Sequence, residues 1–152
     1  LGAGKAGDGS ASTWVDRGGS LMNKIQGTKA ARIAVVIDET GATPTLIGEL
    51  AAGLRLRHYR FDKYKTPRAD EAPGSIAITL HVAEPDAVQA AITARDAVTA
   101  GTLLARDLIN EPPNVLGPVE FAARAATLSD HGVEVEISSL LASYQKKRRT
   151  MP

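Results

Sequence analysis

An α/β fold, a mixed sheet flanked by helices, is expected from three observations. Two short apolar runs, 32–37 and 76–82, have the length and β-branched content of strands. Longer stretches between and after them repeat apolar residues every three or four positions, as helices do. Pro44, Pro85 and Pro118 each stand where such a helical stretch begins, the position that tolerates proline best. The 152 residues are 43% hydrophobic but only 4% aromatic, so the core must come from Ala, Val, Ile and Leu, which suits layered α/β packing.

Taken in order, Leu1 to Thr13 is rich in Gly, Ala and Ser and reads as a flexible lead or the frayed end of a strand. Gly18-Gly19 reads as a turn, with a short helix over 21–26 behind it. Arg32 to Ile37 is nearly continuous in apolar residues, the pattern of a strand covered on both faces. Thr43-Pro44 supplies an N-cap and a first helical residue. Ile47, Leu50, Ala51, Leu54, His58 and Phe61 then form one face of a helix running to about Arg60. Tyr64 to Gly74, with two prolines, is a loop. Ile76, Ile78, Leu80 and Val82 alternate with more polar or smaller residues and form a second strand.

Pro85 opens the longest helix, to about Ile109, with an expected packing stripe of Ala90, Ala94, Ala97, Val98, Gly101, Leu104, Ala105 and Leu108. Pro112-Pro113 stops it, because neither residue donates a backbone hydrogen bond and Pro112 holds Glu111 out of the helical region. A helix from Pro118 carries Phe121, Ala122, Ala125 and Leu128, and Gly132 caps it. Val133, Val135 and Ile137 alternate with Glu134 and Glu136 as a half-buried strand.

Composition excludes several functions. Cysteine is absent, which removes disulfides, thiolate metal sites and cysteine nucleophiles. No stretch approaches the roughly 20 apolar residues of a membrane span, and no signal peptide is visible. The net charge of +1 favours no partner class. The chain opens on Leu1, so a natural start upstream is expected.

Candidate sites are few. Gly2-Ala3-Gly4-Lys5-Ala6-Gly7 has dinucleotide-fingerprint spacing but lacks the preceding strand and following helix that bring backbone N–H groups to a pyrophosphate. His58, His81 and His131 are isolated, with no second ligand one helical turn away, so each is expected to be structural. Glu134 and Glu136 share a strand face that is expected to be solvated, and Asp38-Glu39 reads as turn-forming. Arg55, Arg57, Arg60, Lys63, Lys65 and Arg68, interleaved with His58 and Tyr59, could follow a phosphate backbone, but no nucleic-acid module accompanies them. Lys146-Lys147-Arg148-Arg149 reads as a solvated tail.

The run Arg106-Asp107-Leu108-Ile109-Asn110-Glu111-Pro112-Pro113-Asn114, with Pro118, Phe121 and Ala122 behind it, closely resembles the leucine aminopeptidase family. Arg17-Gly18-Gly19 and Tyr59-Arg60-Phe61-Asp62-Lys63-Tyr64-Lys65-Thr66 resemble it as well, and the likeness runs from about Trp14 to about Glu136. It implies a macro-domain-like amino-terminal domain followed by a long linker helix. The expected divisions are 1–83 for part of that domain, 84–114 for the linker helix and double-proline joint, and 115–152 for the start of the catalytic domain, divergent after about 137. The family removes amino-terminal residues from peptides with two divalent metals, manganese or zinc, and assembles as hexamers in the cytoplasm.

The family's metal-binding segments, one containing Asn-Thr-Asp-Ala-Glu-Gly-Arg and another rich in Asp-Ser-Gly-Gly, do not occur here. No catalytic, metal or cofactor residue can therefore be carried over, and this chain alone is expected to be inactive. The change of pattern after Ile137 is expected to mark a truncation, a frameshift or a recombined end. The resemblance implies self-association or a separate catalytic half as partner, with a peptide substrate only in the complete enzyme. The alternative reading is a free-standing macro-like module that binds a nucleotide or nucleic acid.

Overall fold

A computed structural model describes residues 10–28, 30–38, 41–66 and 75–138. Among them are four helices and a two-stranded parallel sheet. The chain divides into two compact units, Leu1–Asp107 and Leu108–Pro152.

The first unit begins with helix α1, Ala11–Thr28. The Ser10 hydroxyl accepts from the Thr13 amide at 3.2 Å and caps it. Gly18-Gly19 is therefore no turn but the middle of this helix, and the helix already holds Ala11 to Thr13 of the expected flexible lead. Residues 1–9 of that lead, with Gly2 to Gly7, lie outside the described residues.

The physical reason for the glycines is a helix crossing. A Cβ on Gly18 would sit 2.1 Å from the Leu50 carbonyl oxygen, and one on Gly53 would sit 2.0 Å from that of Val15. The two helices thus touch backbone to backbone, an approach that only glycine allows. Trp14, Met22 and Ile25 are buried on the same side of α1.

Strand β1, Arg32–Val36, pairs in parallel with β2, Ala77–His81, placing Arg32 opposite Ala77 and Val36 opposite His81. Parallel strands need a long crossover, and helix α2, Pro44–His58, supplies it. Thr43 caps α2 as its sequence indicates, its side chain accepting from the Leu46 amide at 3.4 Å. Ile33 and Val35 are half-buried, whereas Ala34 and Val36 are exposed. β1 is accordingly covered on one face rather than two. On β2, Ile78 and Leu80 face the core and Ala77, Thr79 and His81 do not, in line with the alternation.

Helix α3, Pro85–Asn110, has the expected limits but a different inner face. Val88 and Thr99 are buried and Leu104 and Leu108 of the expected stripe are half-buried, while Ala90, Ala94, Ala97, Val98, Gly101 and Ala105 are exposed. Its inner side combines apolar residues, Val88 in the core and Ile92 against it, with polar groups. Arg95 Nε donates to Glu49 Oε2 of α2 at 2.8 Å, Arg55 pairs with Asp96, and the Thr99 hydroxyl donates to the Arg95 carbonyl at 3.1 Å. Periodicity found the helix, but long polar side chains snorkel along the packed side and small apolar residues were left outside. The core of this unit joins Trp14, Met22, Ile25, Ile47, Leu50, Leu54 and Val88, with Ile33, Ile78, Leu80 and Ile92 packed against it.

In the second unit, helix α4 spans Pro118–Ala126, followed by a 3-10 turn over Thr127–His131. Gly132 ends it with φ 79°, the left-handed cap that glycine accommodates. The strand expected at Val133, Val135 and Ile137 is absent. Residues 133–138 form no regular structure, and Val133 and Ile137 are exposed. Alternation creates a strand only where another strand completes its hydrogen bonds, and none pairs with it among the described residues. The basic run at Lys146 to Arg149 lies outside the described residues.

Candidate functional site

The two segments that carry the family resemblance in the first unit, Tyr59 to Thr66 and the start of the Arg106 run, meet in space. Arg106 lies on the last turns of α3. Its Nη1 donates to the Leu56 carbonyl at 2.7 Å, in the last turn of α2, where a helix has carbonyls without intrahelical partners. A cation there is favoured by the helix dipole as well. The Arg106 guanidinium also lies 5.7 Å from the Tyr59 ring centroid, within cation–π range. Tyr59 in turn donates from its hydroxyl to Asp107 Oδ1 at 2.8 Å. Tyr59 itself ends α2, its amide donating to the Arg55 carbonyl. One aromatic residue thus fastens the end of one helix to the end of another, and Arg106 and Asp107 clasp it from neighbouring positions. All three are half-buried.

The double proline does its work in the second unit. The Pro112 carbonyl accepts from the Val115 and Leu116 amides at 2.9 and 3.0 Å, which folds the chain into a tight turn before α4. Glu111, its side chain only 2% exposed, receives Arg124 Nη2 at 3.2 Å. A carboxylate at that depth requires a cationic or hydrogen-bonding partner, and Arg124 on α4 provides one. In the sequence Glu111 stands out only as the residue before proline and as a member of the Arg106 to Asn114 run. The sign available was an acid in a proline-bounded turn thirteen positions before an arginine on an apolar helix, which is too unspecific to find the pair.

The other candidates are placed as follows. The basic stretch is partly compensated: Arg55 pairs with Asp96, Arg60 and Lys65 share Asp62, and Arg57 Nε donates to Asn23 at 2.6 Å. Lys63 lies 5.4 Å from the Tyr64 ring centroid, and Arg68 is outside the described residues. A phosphate-binding surface needs uncompensated cations on one face, whereas most of these side chains are engaged in local contacts, and the nucleic-acid alternative is not favoured. His58 is half-buried on α2 and its Nδ1 is enclosed without a hydrogen-bond partner. His81, on β2, is exposed, and so are Asp38, Glu134 and Glu136 outside the strands. Among the described residues no three His, Asp or Glu side chains gather closely enough to hold a metal ion. No helix of the described residues is long and apolar enough to cross a membrane.

Known proteins agree with the motifs. Residues 1–68 match the family model described as "Cytosol aminopeptidase family, N-terminal domain". A probable cytosol aminopeptidase of Bradyrhizobium sp. strain BTAi1 is 48% identical over 139 residues, covering 90% of this chain and 28% of the relative. The one from Rhizobium johnstonii is 45% identical over 142 residues, again 90% of this chain and 28% of the relative. In Rhodopseudomonas palustris strain CGA009 a further one is 44% identical over 151 residues, 97% of this chain and 30% of the relative. This chain thus spans less than a third of the relatives it matches.

Among solved structures, a tomato leucine aminopeptidase mutant superposes with a TM-score of 0.75 at 21% identity, over 93% of this chain and 29% of that one, which shows the fold. The bottromycin maturation enzyme BotP in complex with Mn gives a TM-score of 0.65 at 26% identity, over 86% of this chain and 27% of that one. On sequence, motif and fold together, the chain belongs to the cytosol, or leucyl, aminopeptidase family and corresponds to its amino-terminal part.

Proposed function

We propose that this chain serves as the non-catalytic, amino-terminal portion of a leucyl aminopeptidase. In this reading residues 1–83 belong to the amino-terminal α/β domain, 84–114 form the linker helix and joint, and 115–152 open the catalytic domain. Its task is mechanical. Tyr59, Arg106 and Asp107 fix the end of the linker helix to the amino-terminal domain, and Glu111 with Arg124 fixes the turn that leads onward. The observation that carries the reading is the meeting of the two resemblance-bearing segments at Tyr59, Arg106 and Asp107.

The complete enzyme would use two divalent metals to activate water and polarise the peptide carbonyl. The described residues of this chain offer no donor set that fits such a pair, and no step of the hydrolysis is assigned to them. Catalytic and metal-binding residues would lie in the rest of the enzyme, as would recognition of the peptide substrate. A cytoplasmic location and self-association in a family hexamer belong to the same proposal.

Two measurements test it. The isolated chain, given leucine p-nitroanilide with manganese or zinc, is expected to release no nitroaniline. A chimera in which residues 1–137 replace the matching part of the Bradyrhizobium relative is expected to hydrolyse the same amide in a metal-dependent way. Turnover by the isolated chain, or a folded but inactive chimera, would overturn the proposal.

A further inference from the structure

The second unit lacks an apolar core of its own. Among the described residues every buried apolar side chain belongs to the first unit, and in the second only Glu111 is buried. The large apolar residues of the second unit lie outside instead. Ile109 is 82% exposed, Val119 76% and Phe121 50%, and Val133 and Ile137 are exposed too. Scattered singly such residues need no explanation, but gathered in one unit around a buried ion pair they mark a surface that something else covers.

Helix α4 concentrates the effect. At about 100° per residue, Val119, Phe121, Ala122, Ala125 and Ala126 fall on one side of it, and Glu120 and Arg124 on the other. Arg124, on the polar side, is tied into the unit by its bond to Glu111. On the apolar side no residue is buried. A helix of nine residues is too short to hold its form alone and depends on the packing of its apolar face.

The relatives indicate what covers that face. This chain accounts for 28% of the Bradyrhizobium relative and 29% of the tomato structure, and its match to the amino-terminal domain lies at residues 1–68. The second unit is therefore the part of the chain next in sequence to the unmatched remainder of those proteins. A segment joined there meets α4 at a roughly millimolar effective concentration, which a second copy in dilute solution does not reach.

We propose that the apolar side of α4, with Val119 and Phe121 at its margins, is the docking surface for the remaining, catalytic part of the aminopeptidase. This docking presupposes the aminopeptidase reading of the chain. Ala122, Ala125 and Ala126 admit close approach, and the surface that meets them must be apolar, since none of these side chains carries a polar group.

The chain has no cysteine, so one introduced thiol reports on one position. Phe121→Cys and Glu120→Cys are each made in the whole 152-residue chain and in the chimera of residues 1–137 with the rest of the Bradyrhizobium relative. Maleimide labelling is read by mass spectrometry of the peptide that carries the thiol. At position 121 it is expected to be at least about tenfold slower in the chimera than in the isolated chain, and at position 120 to change less than about threefold. Hydrogen exchange on the unsubstituted proteins guards against a variant that does not fold: the α4 amides should be protected in the chimera and not in the isolated chain. Equal labelling at position 121 with unprotected α4 amides in both proteins would overturn the docking. Protection already present in the isolated chain would overturn it as well, assigning the cover to a second copy or to another segment of the chain. So would a chimera that aggregates while the parent relative folds, because the face would then not fit that remainder. A folded chimera with protected α4 and no hydrolysis would support the docking and overturn the functional reading alone.

Discussion

The α1–α2 crossing and the outer face of α3 use the same small residues to opposite ends. At the crossing, Gly18 and Gly53 are enclosed so tightly that a single added carbon would overlap a carbonyl of the other helix. On α3, Ala90, Ala94, Ala97, Gly101 and Ala105 lie exposed, and a Cβ on Gly101 would meet nothing within 4 Å. A row of small residues therefore states only that close approach is possible. Whether a neighbour takes the opportunity is decided elsewhere in the chain. At the crossing it is decided by Trp14, Met22, Ile47 and Leu50, which bury around the glycines and draw the helices together.

The sharpest way to break this comparison is to add one methyl group at the crossing. Gly53→Ala is expected to destabilise the first unit by about 4 kcal/mol, because both partners of the clash are backbone and neither can rotate away. Urea unfolding followed by the fluorescence of Trp14, the single tryptophan, measures it. A loss below about 1 kcal/mol would show that the helices can separate freely, and the crossing would no longer explain the glycines. Next in size is truncation beside it. Leu50→Ala is expected to cost about 3 kcal/mol, from lost burial and the void left behind. Val98→Ala on the outer face of α3, 58% exposed, should change stability by less than about 0.5 kcal/mol. Similar costs at the two positions would mean that the α3 face is covered in solution.

The same contrast explains what was legible in the sequence. Element types and most limits followed from local chemistry: Thr43-Pro44, Pro85 and Gly132 act within one helical turn of themselves, and β2 alternates cleanly. What failed depended on distant partners. Gly18-Gly19 looked like a turn because glycine is a poor helix former on its own, and only α2 makes sense of it. The expected α3 stripe runs through alanines because they are apolar, whereas the packed side joins Val88 and Ile92 with Arg95, Asp96 and Thr99, which pair with α2 or their own helix. Val133, Val135 and Ile137 had a strand's pattern without a strand to join. At the site, the resemblance pointed to the Tyr59 and Arg106 segments separately. Their contact could not be read from residues 47 positions apart, and Glu111–Arg124 gave no recognisable sign.

A smaller effect probes the fastening at the end of α3. Tyr59→Phe keeps the ring under the Arg106 guanidinium and removes only the hydroxyl bond to Asp107. A loss of about 1 kcal/mol is expected, the net value of one such bond to a charged acceptor that stays half solvated. Amide hydrogen exchange should speed up in the last turns of α3 while β1 and β2 remain protected. Uniform acceleration across the unit would show that Tyr59 supports the core in general and not the helix end.

One expected effect has the opposite sign. Gly101→Ala repeats the substitution proposed at Gly53, in a helix interior of the same unit, at a site with open space around it. With no clash to oppose it, the change should raise stability by about 0.8 kcal/mol, since alanine gives up less backbone freedom on entering a helix. The measurement is again urea unfolding by Trp14 fluorescence. The pair of variants isolates one variable, because the residue exchanged and the helical backbone are the same and only the neighbour differs. If Gly101→Ala destabilises the chain, another surface must rest on α3 there, and the two faces would then follow one rule of packing rather than two.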